Sequence, residues 1–121
     1  MANRLGERGI TFGYHNHYEV SIGSGNTTAL DLIFEHSAGT PLVWQADVAW
    51  FDRCGKDPVD ILTLCSDRLF SVDIKDRCAP IKNDPEDNWR VAGKGRLGWE
   101  LLWPLCKGVG ASIDEQTDCR L

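Results

Sequence analysis

Residues 9–17 read GITFGYHNH, and the fold turns on them. The first six positions are rich in β-branched and aromatic residues, the composition of a strand, and they run directly into the polar cluster His15, Asn16, His17. Polar chemistry therefore starts where the strand stops.

The pattern recurs along the chain. Residues 41–48 (PLVWQADV) form a second apolar run closing on Asp47, and residues 69–74 (LFSVDI) a third, closing on Asp73 and followed by Lys75 and Asp76. Residues 111–116 (ASIDEQ) form a short fourth run carrying Asp114 and Glu115. Amphipathic segments separate these strands. Thr27 or Thr28 caps a helix that places Leu30, Ile33 and Phe34 on one face, and Gly39 stops it. Asp57 and Pro58 supply a cap and a first-turn proline for a helix through about Cys65, with Val59, Ile61, Leu62 and Leu64 buried to varying degree. Residues 98–107 form a third helix with Leu101, Leu102, Trp103 and Leu105 available for packing, and Gly108 and Gly110 end it. The order β-α-β-α-β-α-β calls for an α/β fold of parallel strands joined by right-handed crossovers. Residues 77–96 make a long polar loop, a length that compact domains reserve for function or leave disordered.

Composition narrows the function. At 121 residues, with 42% hydrophobic residues, the chain suits one domain with an ordinary core. A net charge of -5 and no Lys/Arg cluster exclude a nucleic-acid partner, although a phosphate on a small sugar remains compatible. No apolar run approaches the roughly 20 residues that cross a bilayer, and the N-terminus lacks a secretory layout, so no membrane partner and a cytoplasmic location are expected. The five cysteines are odd in number and widely spaced, so they read as reduced thiols.

In parallel α/β sheets and barrels the C-terminal strand ends converge on the functional face. Here all four ends carry candidate ligands: His15, His17 and Glu19; Asp47; Asp73, Lys75 and Asp76; and Glu115. Mixed carboxylate and imidazole donors suit a divalent ion such as Mn, Mg, Co or Zn. Blander readings stand beside this one. The histidines are also compatible with hydrogen bonding at a strand end, Asp47 with capping the following turn, and Asp73 with an ion pair to Lys75 or an arginine. Trp44, Trp99 and Trp103 read as packing, whereas Trp50 and Trp89 lie in or beside loops on the presumed active face. The Gly93 and Gly95 pair reads as a turn before it reads as a phosphate cradle.

Five pieces in register, GYHNHYEV, QADVAWFDRCGKDPVDIL, LFSVDIKDRCAP, VAGKGRLGW and DEQTDC, resemble signature stretches of the sugar phosphate isomerase/epimerase family, a xylose-isomerase-like TIM barrel. The resemblance is to the C-terminal half of that barrel. It implies a partial (β/α) barrel of about four parallel strands alternating with three helices, occupying residues 1–121 as a single partial domain. It also implies a divalent metal held by Asp47, Asp73, Glu115 and His15, with His17, Glu19, Trp50 and Lys75 lining the substrate site. The family's third strand usually brings a His where this chain has Asp73. The reaction so implied is metal-dependent proton transfer on a sugar or polyol through an enediolate, with Glu115 and His15 as candidate bases, Trp50 over the substrate and Lys75 opposite an oxyanion or phosphate. Related enzymes isomerise, epimerise or dehydrate.

A complete (β/α)₈ barrel takes about 250 residues, so half a barrel leaves sheet edges and an inner layer exposed. Pairing into a homodimer or other homo-oligomer around a small-molecule sugar or sugar phosphate is therefore expected. The alternative is a truncated, catalytically inactive fragment, or a self-associating binding module on the same scaffold.

Overall fold

The fold is that of a computed structural model, which describes residues 1–24, 27–79, 88–108 and 112–115. In chain order the elements are α1 (Ala2–Gly6), β1 (Phe12–His15), a 3₁₀ turn (Tyr18–Ser21), β2 (Gly23–Ser24), β3 (Thr27–Thr28), α2 (Ala29–His36), β4 (Leu42–Asp47), α3 (Val48–Arg53) and α4 (Pro58–Leu64). A second 3₁₀ turn (Ser66–Arg68), β5 (Leu69–Ile74), β6 (Asp76–Arg77), β7 (Trp89–Arg90), α5 (Trp99–Gly108) and β8 (Ser112–Glu115) follow.

Strands β1, β4, β5 and β8 form one four-stranded parallel sheet in that order, so each strand is joined to its neighbour through helices. This is the expected partial barrel. The short pairs β2/β3 and β6/β7 are antiparallel and lie outside the main sheet.

Local chemistry explains where the helices begin. Thr28 caps α2 in a capping box: its hydroxyl accepts the Asp31 N–H, and the Asp31 carboxylate accepts the Thr28 N–H at 2.6 Å. Asp57 caps α4 by accepting the Val59 N–H at 2.8 Å, with Pro58 in the first turn. Gly39, at φ 72°, makes the turn out of α2 in a conformation that costs a glycine nothing.

Helix α3 is the main addition to the sequence reading. It follows β4 without a loop, so the second crossover carries two helices, α3 and α4. Asp47 is the cause: its Oδ1 accepts the N–H groups of Ala49 at 3.1 Å and Trp50 at 3.3 Å, ending the strand and starting the helix on one residue.

The outer face of the sheet holds the core. Trp44, Ala46, Leu69 and Val72 pack against Leu30, Val48, Phe51, Leu62, Leu102 and Cys106 from the helices. The Trp44 ring sits between Phe34 and Phe51, with centroids 5.5 and 5.7 Å away. Burying each large apolar side chain of this kind contributes about 1.5–3 kcal/mol. Leu64, Leu101 and Trp103, expected in the packing, are exposed instead. Each lies on the solvent side of its helix, and Leu62 and Leu102 fill the core positions.

The inner face is open. Gly13, Val43, Gln45, Phe70 and Ser71 border a cavity of about 440 Å³, and Phe70 is 51% exposed. Phe70 stands at a register shift, because Trp44 pairs with Leu69 while the next residue, Gln45, pairs with Ser71.

Candidate metal site

Residues two apart on a strand share a face, so the register assigns the donors. His15 pairs with Gln45, and Asp47 pairs with Asp73, which puts His15, Asp47 and Asp73 on the inner face at the C-terminal strand ends. His17 joins them from the turn that follows β1. One donor atom each from His15, His17 and Asp47 falls within a 4.8 Å span. The two imidazole Nε2 atoms are 3.0 Å apart, and the His15 Nε2 is 3.7 Å from Asp73 Oδ2.

These donors fit a divalent ion. Two nitrogens bonded at about 2.1 Å to one tetrahedral ion lie about 3.4 Å apart, so the two rings, hydrogen-bonded to each other at 3.0 Å, need only a small shift to share one. Imidazole with carboxylate suits Zn, Co and Mn alike. His15 also has its buried Nδ1 without a hydrogen-bond partner among the described residues.

Asp47 is wholly buried. Burial pushes its carboxyl above the ordinary aspartate range, and Lys75, the Trp50 N–H and His15 pull partly the other way. Lys75 Nζ is 3.4 Å from Asp47 Oδ2, so Lys75 forms an ion pair with Asp47. One side chain thus does two things: Oδ1 caps α3 while Oδ2 faces the Lys75 ammonium.

Glu19 braces the turn. It accepts the Tyr14 hydroxyl and, at 2.9 Å, the His17 N–H. Burial alone would raise its pKa, but these two hydrogen bonds hold it below the usual glutamate value. Glu19 therefore shapes the loop carrying His17. The Tyr14 hydroxyl is correspondingly pushed up, first by burial and then by Glu19.

An aromatic row flanks the donors. The His17 and Trp50 centroids are 5.4 Å apart, and those of Trp50 and Trp89 are 5.1 Å apart. Lys75 Nζ sits 4.5 Å from the Trp89 ring centre, and the Arg53 guanidinium 4.9 Å from that of Trp50. Trp50 Nε1 is buried without a hydrogen-bond partner among the described residues. Trp89 comes from β7, so the long loop does deliver a residue to this face.

One sequence candidate takes another role. Asp76 is completely buried and accepts N–H groups from Arg77, Gly93, Gly95, Leu97 and the Trp99 indole, at 2.7–3.1 Å. It is the anchor of the 93–97 turn and no ligand. The same bonds occupy the Gly93 and Gly95 amides, which leaves them no phosphate to cradle. Glu115 ends β8 and pairs in register with Ile74, next to the Asp73–Asp114 pair, and its side chain lies outside the described residues.

The sequence reading gave no role to Asn16. It lies between the two histidines in sequence, is fully buried and is bonded to Asp47 and Trp44. An asparagine between two histidines has no signature of its own; its position at a strand end was the available signal.

The fold and site define a partial parallel (β/α) barrel with a polar, metal-compatible cluster at its strand ends. No family model matches the chain, and no curated protein matches it. Solved structures do. A sugar phosphate isomerase/epimerase from Parabacteroides distasonis superposes with a TM-score of 0.75 at 21% identity, over 98% of this chain and 43% of its own. The probable 3-DHS dehydratase AsbF of petrobactin synthesis, from Bacillus anthracis, gives 0.72 at 8% identity over 95% and 46%. A xylose isomerase domain protein from Planctomyces limnophilus gives 0.64 at 17% over 93% and 42%. The chain therefore has the xylose-isomerase-like barrel fold and spans under half the length of each of these proteins. No described helix is long and apolar enough to cross a membrane.

Proposed function

We propose that the chain serves a sugar isomerase/epimerase-like reaction, in which a proton moves between neighbouring carbons of a sugar, sugar phosphate or related polyol through an enediolate. The observation that carries this reading is the gathering of His15, His17 and Asp47 donor atoms within 4.8 Å at the strand ends. His15, His17 and Asp47 would hold a divalent cation, with Asp73 beside them and Glu115 as a further ligand or base. When bound, such a cation acts as a Lewis acid that stabilises negative charge developing on substrate oxygens.

The protein's own groups supply the rest. A base, Glu115 or His15, takes the proton from the carbon next to the carbonyl, and the electron pair left behind forms the enediolate double bond. The same base returns the proton to the adjacent carbon while the hydroxyl proton passes to the former carbonyl oxygen, so that carbonyl and hydroxyl exchange places. With His15 committed to the cation, Glu115 is the better base. Lys75 adds a positive charge where an oxyanion or phosphate forms, in a buried setting that strengthens the interaction. Trp50 and Trp89 offer half-buried rings to the C–H face of the substrate and exclude water, and Glu19 holds His17 in place.

The open inner face supports an assembly expectation as well: a second copy covers it, giving a homodimer or higher homo-oligomer in the cytoplasm. Light scattering reads this directly, and a monodisperse monomer overturns it.

The functional test is solvent exchange. Ketose and aldose sugars, with and without phosphate, are incubated in D₂O with the Mn²⁺-loaded protein and followed by proton NMR. Deuterium entering a carbon-bound position, lost with a chelator and in Glu115→Gln, supports the reading. No exchange by a protein shown to bind Mn²⁺ contradicts it.

A further inference from the structure

We propose that Asn16 is a positioning residue that locks the β4 donor Asp47 to the two histidine donors, His15 and His17, on either side of it in sequence. The inference rests on the metal-site reading above and concerns how the protein's own residues prepare that site.

The geometry is specific. Backbone pairing between β1 and β4 ends at His15 and Gln45, and beyond that point the β1 chain turns away. The Asn16 side chain takes over. Its Nδ2 donates to the Asp47 carbonyl at 3.1 Å, and its Oδ1 accepts the Asp47 N–H, also at 3.1 Å. A side-chain amide thus grips both main-chain groups of one residue, extending the ladder past the last backbone pair. The same Oδ1 accepts the Trp44 indole N–H at 3.0 Å, which ties the clasp to the fully buried ring at the centre of the core.

Three consequences follow from ordinary chemistry. The clasp needs one donor and one acceptor in a single planar group, which Asn supplies and Asp does not, because a second carboxylate oxygen would face the Asp47 carbonyl. It fixes the backbone from which the Asp47 carboxylate projects. And because His15 and His17 flank Asn16, one fixed residue sets the spacing of all three donors. Partners behind the ligands of a metal site are typically worth 10–100-fold in affinity.

The test separates positioning from simple stability. Co²⁺ affinity is measured by calorimetry and by the visible absorption of the bound ion, alongside thermal melting, for wild type, Asn16→Ala, Asn16→Asp and Leu62→Ala. Leu62 is buried in the core among residues that are not donors, so its variant loses stability without touching the clasp. The Asn16 variants are expected to weaken Co²⁺ binding about 10–100-fold and to change the absorption band, while Leu62→Ala lowers the melting temperature with affinity within about twofold. Should Asn16→Ala not fold, Trp44→Phe removes one donor to Oδ1 and keeps a ring, and its expected change in affinity is in the same direction. Unchanged affinity in folded Asn16 variants of a Co²⁺-binding wild type overturns this inference alone. A wild type that binds no Co²⁺ overturns the metal reading and this inference with it.

Discussion

Lys75 Nζ lies 3.4 Å from Asp47 Oδ2, and both side chains are buried, so the donor cluster contains its own cation. Removing one partner of a buried pair leaves an uncompensated charge, at a cost of about 3–5 kcal/mol. Lys75→Met is therefore expected to lower metal-free stability by about that amount in urea denaturation. Added Mn²⁺ should raise the melting temperature of the variant more than that of wild type, because the added cation replaces the missing one. A smaller rise in the variant contradicts the pairing as described.

Gly95 has no room for a side chain. A Cβ there would run into the Asp76 carboxylate and the Arg77 carbonyl, both rigidly held. Gly95→Ala should destabilise the chain by about 1–3 kcal/mol through overpacking. Gly93→Ala differs, since the space around Gly93 is open and only its φ of 77° opposes a side chain. Denaturation midpoints of the two variants check the ranking, and a neutral Gly95→Ala would contradict the turn described here.

Four cysteines are described, all free, and they are not equivalent. Cys106 is buried, and burial pushes its thiol pKa up; Cys65 is pushed up by burial and by the neighbouring carboxylates Asp31 and Asp67. Iodoacetamide at pH 8 should spare Cys106 in the native protein and label it on unfolding, as read by mass spectrometry. The linkage has a definite sign. A thiol whose folded pKa is raised stays neutral in the folded chain while the unfolded chain ionises, so its contribution is intact below about pH 8.5 and is lost as pH rises beyond it. Stability that increases between pH 8.5 and 10 would contradict this.

Much of this was legible in the sequence, for identifiable reasons. All four strands of the sheet were marked by short runs ending on polar or charged residues, and Thr28, Asp57 and Pro58 announced their helices through capping chemistry. Helix α3 was not legible, because Val48, Ala49 and Phe51 are all buried and a segment apolar on several sides shows no clear period. The β6/β7 pair was missed since two-residue strands are too short to alternate. Site residues divided similarly. His15, His17 and Asp47 stood out as donors at strand ends, but Asp76 carries the same carboxylate and serves a turn. Only hydrogen-bond partners separate such cases, and those depend on residues about twenty positions away.

Everything proposed for the site depends on these strand ends binding a metal ion. Calorimetric titration of the chelator-stripped protein with Co²⁺, compared between wild type and Asp47→Asn, tests it most directly, since Asn keeps the oxygen that caps α3 while giving up the charge. One ion per chain in wild type, with affinity reduced at least tenfold in Asp47→Asn, is the expected result. Binding that is absent in wild type, or equal in both proteins, would contradict the account.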